Sequence, residues 1–419
     1  MTYPINVGVQ IDFSSGATFG YPFTLDSPTQ GILGTNIIAD SASVIVDVSD
    51  QVGKISLKGG YNLLQDQFEA ATASVIIYDQ NGDFNPQNTA SPYYGLLLPL
   101  RKIRISATPS ATTITHWIFS GYILSWDYTY PKDQTLGYVT LTCSDAFRLF
   151  NMSNISTVAG TSAGQSTGQR INSILDQISW PNSLRSIQTG DSTVQADPAT
   201  NRTSLQALKN VEFSEQGAFY IDGSGQAVFK SRHWIMSKSG QNPTTFSNTG
   251  TGIPYYSVAF AFDDKLIINQ ASFQPVGLTA QTASNATSIA KYFPHSITQQ
   301  NLVIQTEADA LNMARSYVAT RAETTIRIDS MVLDLSTPDY TAGITAALSL
   351  DYFDTVKIIN ENNQGTGSTI TKTLQLMGVA MDITPQKFLV TFTTSEPIVD
   401  SFILDSELYG VLGTSTLGY

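Results

Sequence analysis

The chain has 419 residues, long for a single core, with 42% apolar residues and only 13% charged ones, about half the usual share. A net charge of −12 and a pI near 4.6 exclude a protein that coats nucleic acid, which needs clustered lysine and arginine. The single cysteine, Cys143, excludes an intramolecular disulfide framework and a cysteine-rich zinc site. No signal-peptide pattern opens the chain and no run of about 18 apolar residues crosses it, so the expected product is soluble when made. A neutral-polar surface with 19 Tyr and 20 Phe suits a subunit packed against neighbours, although a secreted or bacterial-surface β-protein shares this composition.

From Ile5 to about Phe150 the pattern predicts strands. Val44, Val46 and Val48 alternate with Ile45, Asp47 and Ser49; Ile103, Ile105 and Ala107 alternate with Arg104 and Ser106. Trp117 to Trp126 and Tyr138 to Cys143 read as further strands, with Cys143 on the buried face beside Val139 and Leu141. Between Phe68 and Ile105 the order is strand, Asn81-Gly82 turn, a loop braced by Pro86, Pro92 and Pro99, then a second strand.

Residues 151–168 read as a Ser/Thr/Gly-rich linker. A helix follows, capped by Ser166 or Thr167, with Ile171, Ile174, Leu175 and Ile178 on one face and Pro181 past its end. Thr203-x-x-Gln206 has capping-box spacing for a second helix, and Phe219 to Phe229 gives two strands around a glycine turn. Residues 238–252 predict a loop and 255–290 mixed strands. Thr306-x-x-Asp309 opens a helix to Arg321 with Leu311, Ala314 and Val318 at helical spacing. Strands then recur at 326–335, 356–359, 373–377 and 388–392. The expected divisions are an N-terminal β-barrel at 1–150, an α+β insert at 151–245, a connecting β segment at 246–290, a helix plus second β-barrel at 291–400, and a tail at 401–419.

That tail repeats an earlier motif. Phe23, Leu25, Asp26, Gly31, Leu33 and Gly34 are matched without a gap by Phe402, Leu404, Asp405, Gly410, Leu412 and Gly413. Two readings stand: similar turn elements of duplicated domains, or two handles that dock the same kind of partner surface. With Tyr93 and Tyr94 of the proline-braced loop, which could equally fill the core, these are the candidate interaction residues.

The sequence offers little for bond-breaking chemistry, and no cofactor or metal site is predicted. Asp79-x-Asn81-Gly82-Asp83 begins like a calcium loop, but glycine falls at the fourth place and Ala90 stands at the twelfth, so a turn is the better reading. His116, His233 and His295 are dispersed beside Trp117, Trp234 and Pro294. No nucleophile elbow, phosphate loop or dinucleotide fingerprint occurs. Asp263-Asp264 and Asp351/Asp354 are the pairs a glycoside hydrolase would use, but neighbours on a strand face opposite ways and the second pair reads as a loop.

The order of pieces from Val75-Ile76-Ile77-Tyr78-Asp79 through Phe84-Asn85-Pro86, Ser91-Pro92-Tyr93-Tyr94-Gly95 and Arg101-Lys102-Ile103-Arg104 resembles the N-terminal β-domain of tail-tip proteins of long-tailed bacteriophages. The helix before residue 321 and Gly378-Val379 through Ile383-Thr384-Pro385 to Phe388 resemble the C-terminal third of the same hub proteins. The likeness covers roughly 40–235 and 290–400. It implies a mainly β fold with an α+β insert, two tail-tube-like β-barrel domains and smaller mixed α/β domains. It also implies a non-enzymatic baseplate hub in the virion tail tip, made in the host cytoplasm. Three copies would present six barrels, joining a hexameric tail tube or distal tail protein to a trimeric tip. Tip or fibre proteins and the tape measure protein are the implied neighbours, with double-stranded DNA passing through the channel without specific binding. A hexameric distal tail adaptor and a carbohydrate-binding tail adhesin are the alternatives.

Overall fold

The computed structural model describes residues 4–19, 44–132, 136–324, 327–337, 339–361 and 369–397. The N-terminal part supplies β1 (Ile5–Asp12), β2 (Ile45–Asp47), β3 (Val52–Asn62), β4 (Gln67–Asp79), β5 (Arg101–Pro109), β6 (His116–Thr129) and β7 (Gly137–Ser144). After α1 (Phe147–Met152) come the two-residue strands β8 (Asn154–Ile155) and β9 (Gln165–Ser166), then α2 (Thr167–Gln177), β10 (Arg185–Ile187), β11 (Thr193–Val194) and β12 (Arg202–Thr203). Then follow α3 (Ser204–Glu215), the hairpin β13 (Ala218–Ile221) and β14 (Ala227–Lys230), and α4 (Arg232–Lys238). Next are β15 (Thr244–Ser247), β16 (Ser257–Ala261), β17 (Gln270–Pro275), β18 (Gln281–Ser284), α5 (Ala286–Tyr292), β19 (Ser296–Leu302) and α6 (Glu307–Arg321). The last group is β20 (Arg327–Asp334), α7 (Thr341–Ser349), β21 (Thr355–Glu361), β22 (Thr369–Thr384) and β23 (Lys387–Ser395).

The fold is mainly β, as expected, with small mixed α/β pieces. One sheet of 13 strands carries most of it, in the order β16-β20-β23-β22-β3-β4-β7-β6-β5-β1-β2, with β21 on β22 and β15 parallel to β21. Among the described residues this ladder is open, so the two halves meet as one continuous sheet. Alternating residues of both halves fill a single apolar cluster, from Val9, Val75, Ile105 and Leu141 to Met331, Leu376, Val390 and Phe392. Cys143 is buried with Val139 and Leu141, and burial pushes its thiol pKa up, as befits a small apolar filler.

The halves meet at β3 and β22, which pair antiparallel from Gly60↔Gly378 to Ile55↔Ile383. Ile55, Leu57, Met381 and Ile383 point into the core, while on the other face Ser56 Oγ donates to Asp382 at 2.6 Å. β22 is long enough to serve two partners on one edge: Thr369–Gln375 pairs with β21 before Gly378–Ile383 pairs with β3. The switch demands glycine. Gly60 has φ +149°, and a Cβ there would stand 2.5 Å from Gly378 Cα and 2.8 Å from the Met377 carbonyl oxygen.

The three expected helices start where the sequence predicts. Ser166 and Gln169 form a full capping box on α2, Thr203 Oγ1 accepts from the Gln206 amide at 3.1 Å, and Thr306 caps α6 through the Asp309 amide. On α2, Ile171, Ile174 and Leu175 are buried. The core face of α6 is broader than Leu311, Ala314 and Val318: it consists of Ala310, Met313, Ala314, Tyr317 and Val318, with Leu311 at its margin. That face packs on the small β18-β17-β19 sheet and forms its own cluster with Ala271, Phe273 and Leu302.

Two local expectations change, and one helix was not foreseen. Asn81-Gly82 joins no hairpin, because β4 lies between β3 and β7 while β5 lies between β1 and β6. Only Gly82 of the pair has positive φ, and the Asp79 carboxylate draws the chain out of the sheet by accepting the Asp83 and Phe84 amides at 2.8 and 2.9 Å. The expected 238–252 loop contains β15, whose parallel register rests on a partner 112 residues away, Thr244↔Val356. Helix α7, rich in Ala and Thr, gave no caps or periodic face to read.

Replacing Gly60 by alanine forces a side chain into this glycine contact. The expected cost is about 2–3 kcal/mol, read as a lowered denaturant midpoint, with Gly16→Ala, where a Cβ meets nothing within 4 Å, costing less.

Candidate assembly surface

The loop from 80 to 100 is built from successive turns. Ser91 Oγ donates to the Asp83 carbonyl and accepts the Tyr93 amide at 3.0 Å, and the Leu96 amide reaches the Tyr93 carbonyl at 2.9 Å. Phe84 is buried beneath it. Tyr93 stacks at 5.3 Å on both Phe13 and Phe84, and Trp126 lies 6.1 and 6.4 Å from the same two rings. Trp126 Nε1 donates to the Leu98 carbonyl at 3.1 Å, tying the loop to β6. Tyr93 is thus half-buried in a ring stack, while Tyr94 is 54% exposed. Leu98 is exposed on the same loop, and so is Tyr130, whose hydroxyl accepts from Asn85 Nδ2 at 2.7 Å.

Desolvation raises the Tyr93 pKa, and the nearby Asp83 charge adds to it, so the phenol stays neutral and able to donate. The repeat residues Phe23, Leu25, Asp26, Gly31, Leu33, Gly34, Phe402, Leu404, Asp405, Gly410, Leu412 and Gly413 lie outside the described residues.

A second apolar surface escaped the sequence reading. β16 ends the path of the main sheet and pairs only with β20 among the described strands. Tyr256, Phe260 and Phe262 on and beside it are 64%, 41% and 69% exposed. Their alternation in Tyr256-Ser257-Val258-Ala259-Phe260-Ala261-Phe262 was the available signal: large apolar side chains at 256, 258, 260 and 262, three of them aromatic, would line one face.

Three of the four carboxylates considered for hydrolysis are held by basic side chains, and burial with the neighbouring Asp354 charge pushes the pKa of the fourth, Asp351, up. Asp263 follows β16 and accepts two bonds from the Arg327 guanidinium at 2.8 and 3.0 Å, which hold its carboxyl well below the usual range. Asp264 faces His295 Nε2 at 3.1 Å. The His295 pKa is raised by its bond to the Phe293 carbonyl and by Asp264. Asp354 pairs with Lys238 at 2.6 Å and also accepts the Asp351 amide. Among the described residues no group of three or more His, Cys, Asp or Glu side chains could hold a metal ion, and no helix is long and apolar enough to cross a membrane.

Helices α1 and α3 dock on the main sheet through buried polar groups. Asp145 accepts the Ala71 amide of β4 at 2.7 Å and the Phe147 amide that opens α1 at 2.9 Å. On α3, Lys209 pairs with Glu212 at 2.7 Å, and Glu212 accepts the Phe219 amide at 2.8 Å. Gln67 of β4 donates to the Lys209 carbonyl at 2.8 Å. Burial pushes the Asp145 carboxyl up to about 7 against these amides and the Lys209 charge. Because its folded pKa lies above the unfolded value, Asp145 weakens the fold as pH rises from about 4 to about 7. Asp145→Asn is therefore expected to flatten the fall in melting temperature between pH 5 and 7.5, measured by circular dichroism.

No protein-family model and no curated protein matches the sequence. Solved structures do match. A tail protein from Neisseria meningitidis MC58 is 11% identical, aligned over 94% of this chain and 98% of its own, with a TM-score of 0.56. The 43 kDa tail protein of prophage MuSo2 from Shewanella oneidensis is 8% identical over 93% and 99%, with a TM-score of 0.54. The chain therefore shares, over nearly its whole length, the fold of these two tail proteins.

Proposed function

We propose that this protein is a structural subunit of a phage tail tip, the baseplate hub that joins a hexameric tail tube to a trimeric tip and lines part of the path of the ejected DNA. The observation that carries this reading is the likeness to two tail proteins, one of them from a prophage, across 93–94% of the chain, so that helices and both halves of the sheet are matched together. In this reading the virion tail is where the protein resides, and the role is mechanical rather than enzymatic.

Three chains would place six sheet modules around one axis, two from each subunit, matching the sixfold tube above and the threefold tip below. Partners are then the tail tube or distal tail protein on one side and tip, fibre and tape measure proteins on the other. Exposed Tyr94 and Leu98 supply apolar anchors of the kind that dominate interface energetics. The acidic chain, with its −12 net charge, repels passing DNA instead of trapping it. The paired motifs at 23–36 and 402–415 are proposed as handles on neighbouring tail proteins.

Sedimentation equilibrium of the assembled ring is expected to give three copies; six copies would overturn the hub in favour of a distal adaptor. Removing residues 401–419 should cut incorporation into tails without unfolding the isolated protein, read from the copies in purified tails and from circular dichroism melting; incorporation at the level of the full chain would overturn the handles. Tyr94→Ser is expected to act the same way, whereas Phe84→Ala should destabilise the fold by about 3–5 kcal/mol in denaturant titrations.

A further inference from the structure

Asn81-Gly82, the one Asn-Gly pair in the sequence, joins no hairpin and sits where the chain leaves β4 for the 80–100 loop. Asn81 is exposed, and among the described residues its side chain makes a single long hydrogen bond, 3.4 Å from Nδ2 to Asp83 Oδ2. The Gly82 amide donates no hydrogen bond among the described residues. Its carbonyl is engaged, accepting from the Asn85 amide at 3.3 Å and from Asn88 Nδ2 at 2.9 Å. Gly82 has φ +73°, and with no side chain it leaves its nitrogen open to the carboxamide one residue back.

The other two asparagines of the loop lack this arrangement. Asn85 precedes Pro86, whose nitrogen carries no hydrogen. Asn88 precedes Thr89, whose branched Cβ crowds the amide, and both ends of its carboxamide are held, Nδ2 by the Gly82 carbonyl and Oδ1 by the Ala90 amide at 3.0 Å.

We propose that Asn81 is a site of spontaneous conversion to aspartate and isoaspartate, and that the conversion loosens the 80–100 loop. The Gly82 nitrogen gives its proton to hydroxide and bonds to Asn81 Cγ; the Cγ–Nδ2 bond breaks and ammonia leaves, closing a succinimide ring. Water then opens the ring at either carbonyl carbon, so the net change is a water taken up and an ammonia lost. One opening gives aspartate; the other gives isoaspartate, which lengthens the backbone by a methylene. Both products act on the same contacts. The buried Asp79 carboxylate holds the Asp83 and Phe84 amides at 2.8 and 2.9 Å. A longer backbone at residue 81 changes the span between Asp79 and those amides, and a new charge there repels Asp79 and Asp83 on either side. Phe84 then loses its fixed place beneath Tyr93, and with it goes the frame that presents Tyr94 and Leu98. The reaction needs no partner and holds whether or not the protein is a tail-tip hub.

The test incubates the purified full chain at neutral and mildly alkaline pH and follows it by peptide mass spectrometry and amide hydrogen exchange. Acid is expected to accumulate at residue 81 faster than at residue 88, more so at the higher pH, while residue 85 keeps its amide. Exchange across residues 83–96 should speed up several-fold as residue 81 converts. Asn81→Gln, whose longer side chain closes the ring far more slowly, should keep those amides protected over the same incubation. Acid at residue 81 forming no faster than at residue 88 would overturn the proposal, as would converted chains whose loop amides exchange as slowly as those of fresh protein.

Discussion

The architecture hangs on one backbone contact, the approach of Gly60 to Gly378 where β3 meets β22. Each strand already has a hairpin partner, β4 for β3 and β23 for β22. Each would otherwise present a row of unpaired amides and carbonyls to solvent. By pairing with each other they satisfy both edges and merge two apolar faces into one cluster. A side chain at residue 60 would push the strands apart at the point where β22 leaves β21 for β3, so glycine here is a steric requirement.

Around that sheet the smaller units are held by buried polar ties. The Asp145 carboxylate bridges β4 and α1, Lys209 and Glu212 satisfy each other beneath the insert, and Asp66 at the β3–β4 turn meets Arg321 at the end of α6. Such groups lose hydration on burial and recover it only in one geometry. They therefore fix orientation more than they add stability. Burial raises the carboxyl pKa of Asp66 and Glu212 and lowers the ammonium pKa of Lys209, the direction expected where desolvation outweighs pairing.

Elements with local signals were legible in the sequence. The caps at Ser166, Thr203 and Thr306 mark helices because one side chain and one amide three residues on decide them. The alternation at Ile103, Ile105 and Ala107 marks a strand for the same local reason. The resemblance carried by Phe84-Asn85-Pro86 and Ser91-Pro92-Tyr93 pointed to phage tail proteins, and its residues turn out to build a ring stack and turns rather than a hairpin. What depends on distant partners was not legible. β15 is a strand only because β21 lies beside it, the junction glycines are 318 positions apart, and the exposure of Phe260 and Phe262 follows from β16 ending the sheet path. The split roles of Tyr93 and Tyr94 likewise depend on Phe13, which arrives from β1's far end.

The direction of the β3–β22 pairing has a mechanical consequence. Six residue pairs, from Ile55↔Ile383 to Gly60↔Gly378, cross the boundary between the two halves. A load that slides one half past the other along the strands strains all of these bonds at once. A load that peels the sheet open across the strands breaks them one after another, beginning at an end. The molecule is thus stiff to shear and soft to unzipping along the same seam.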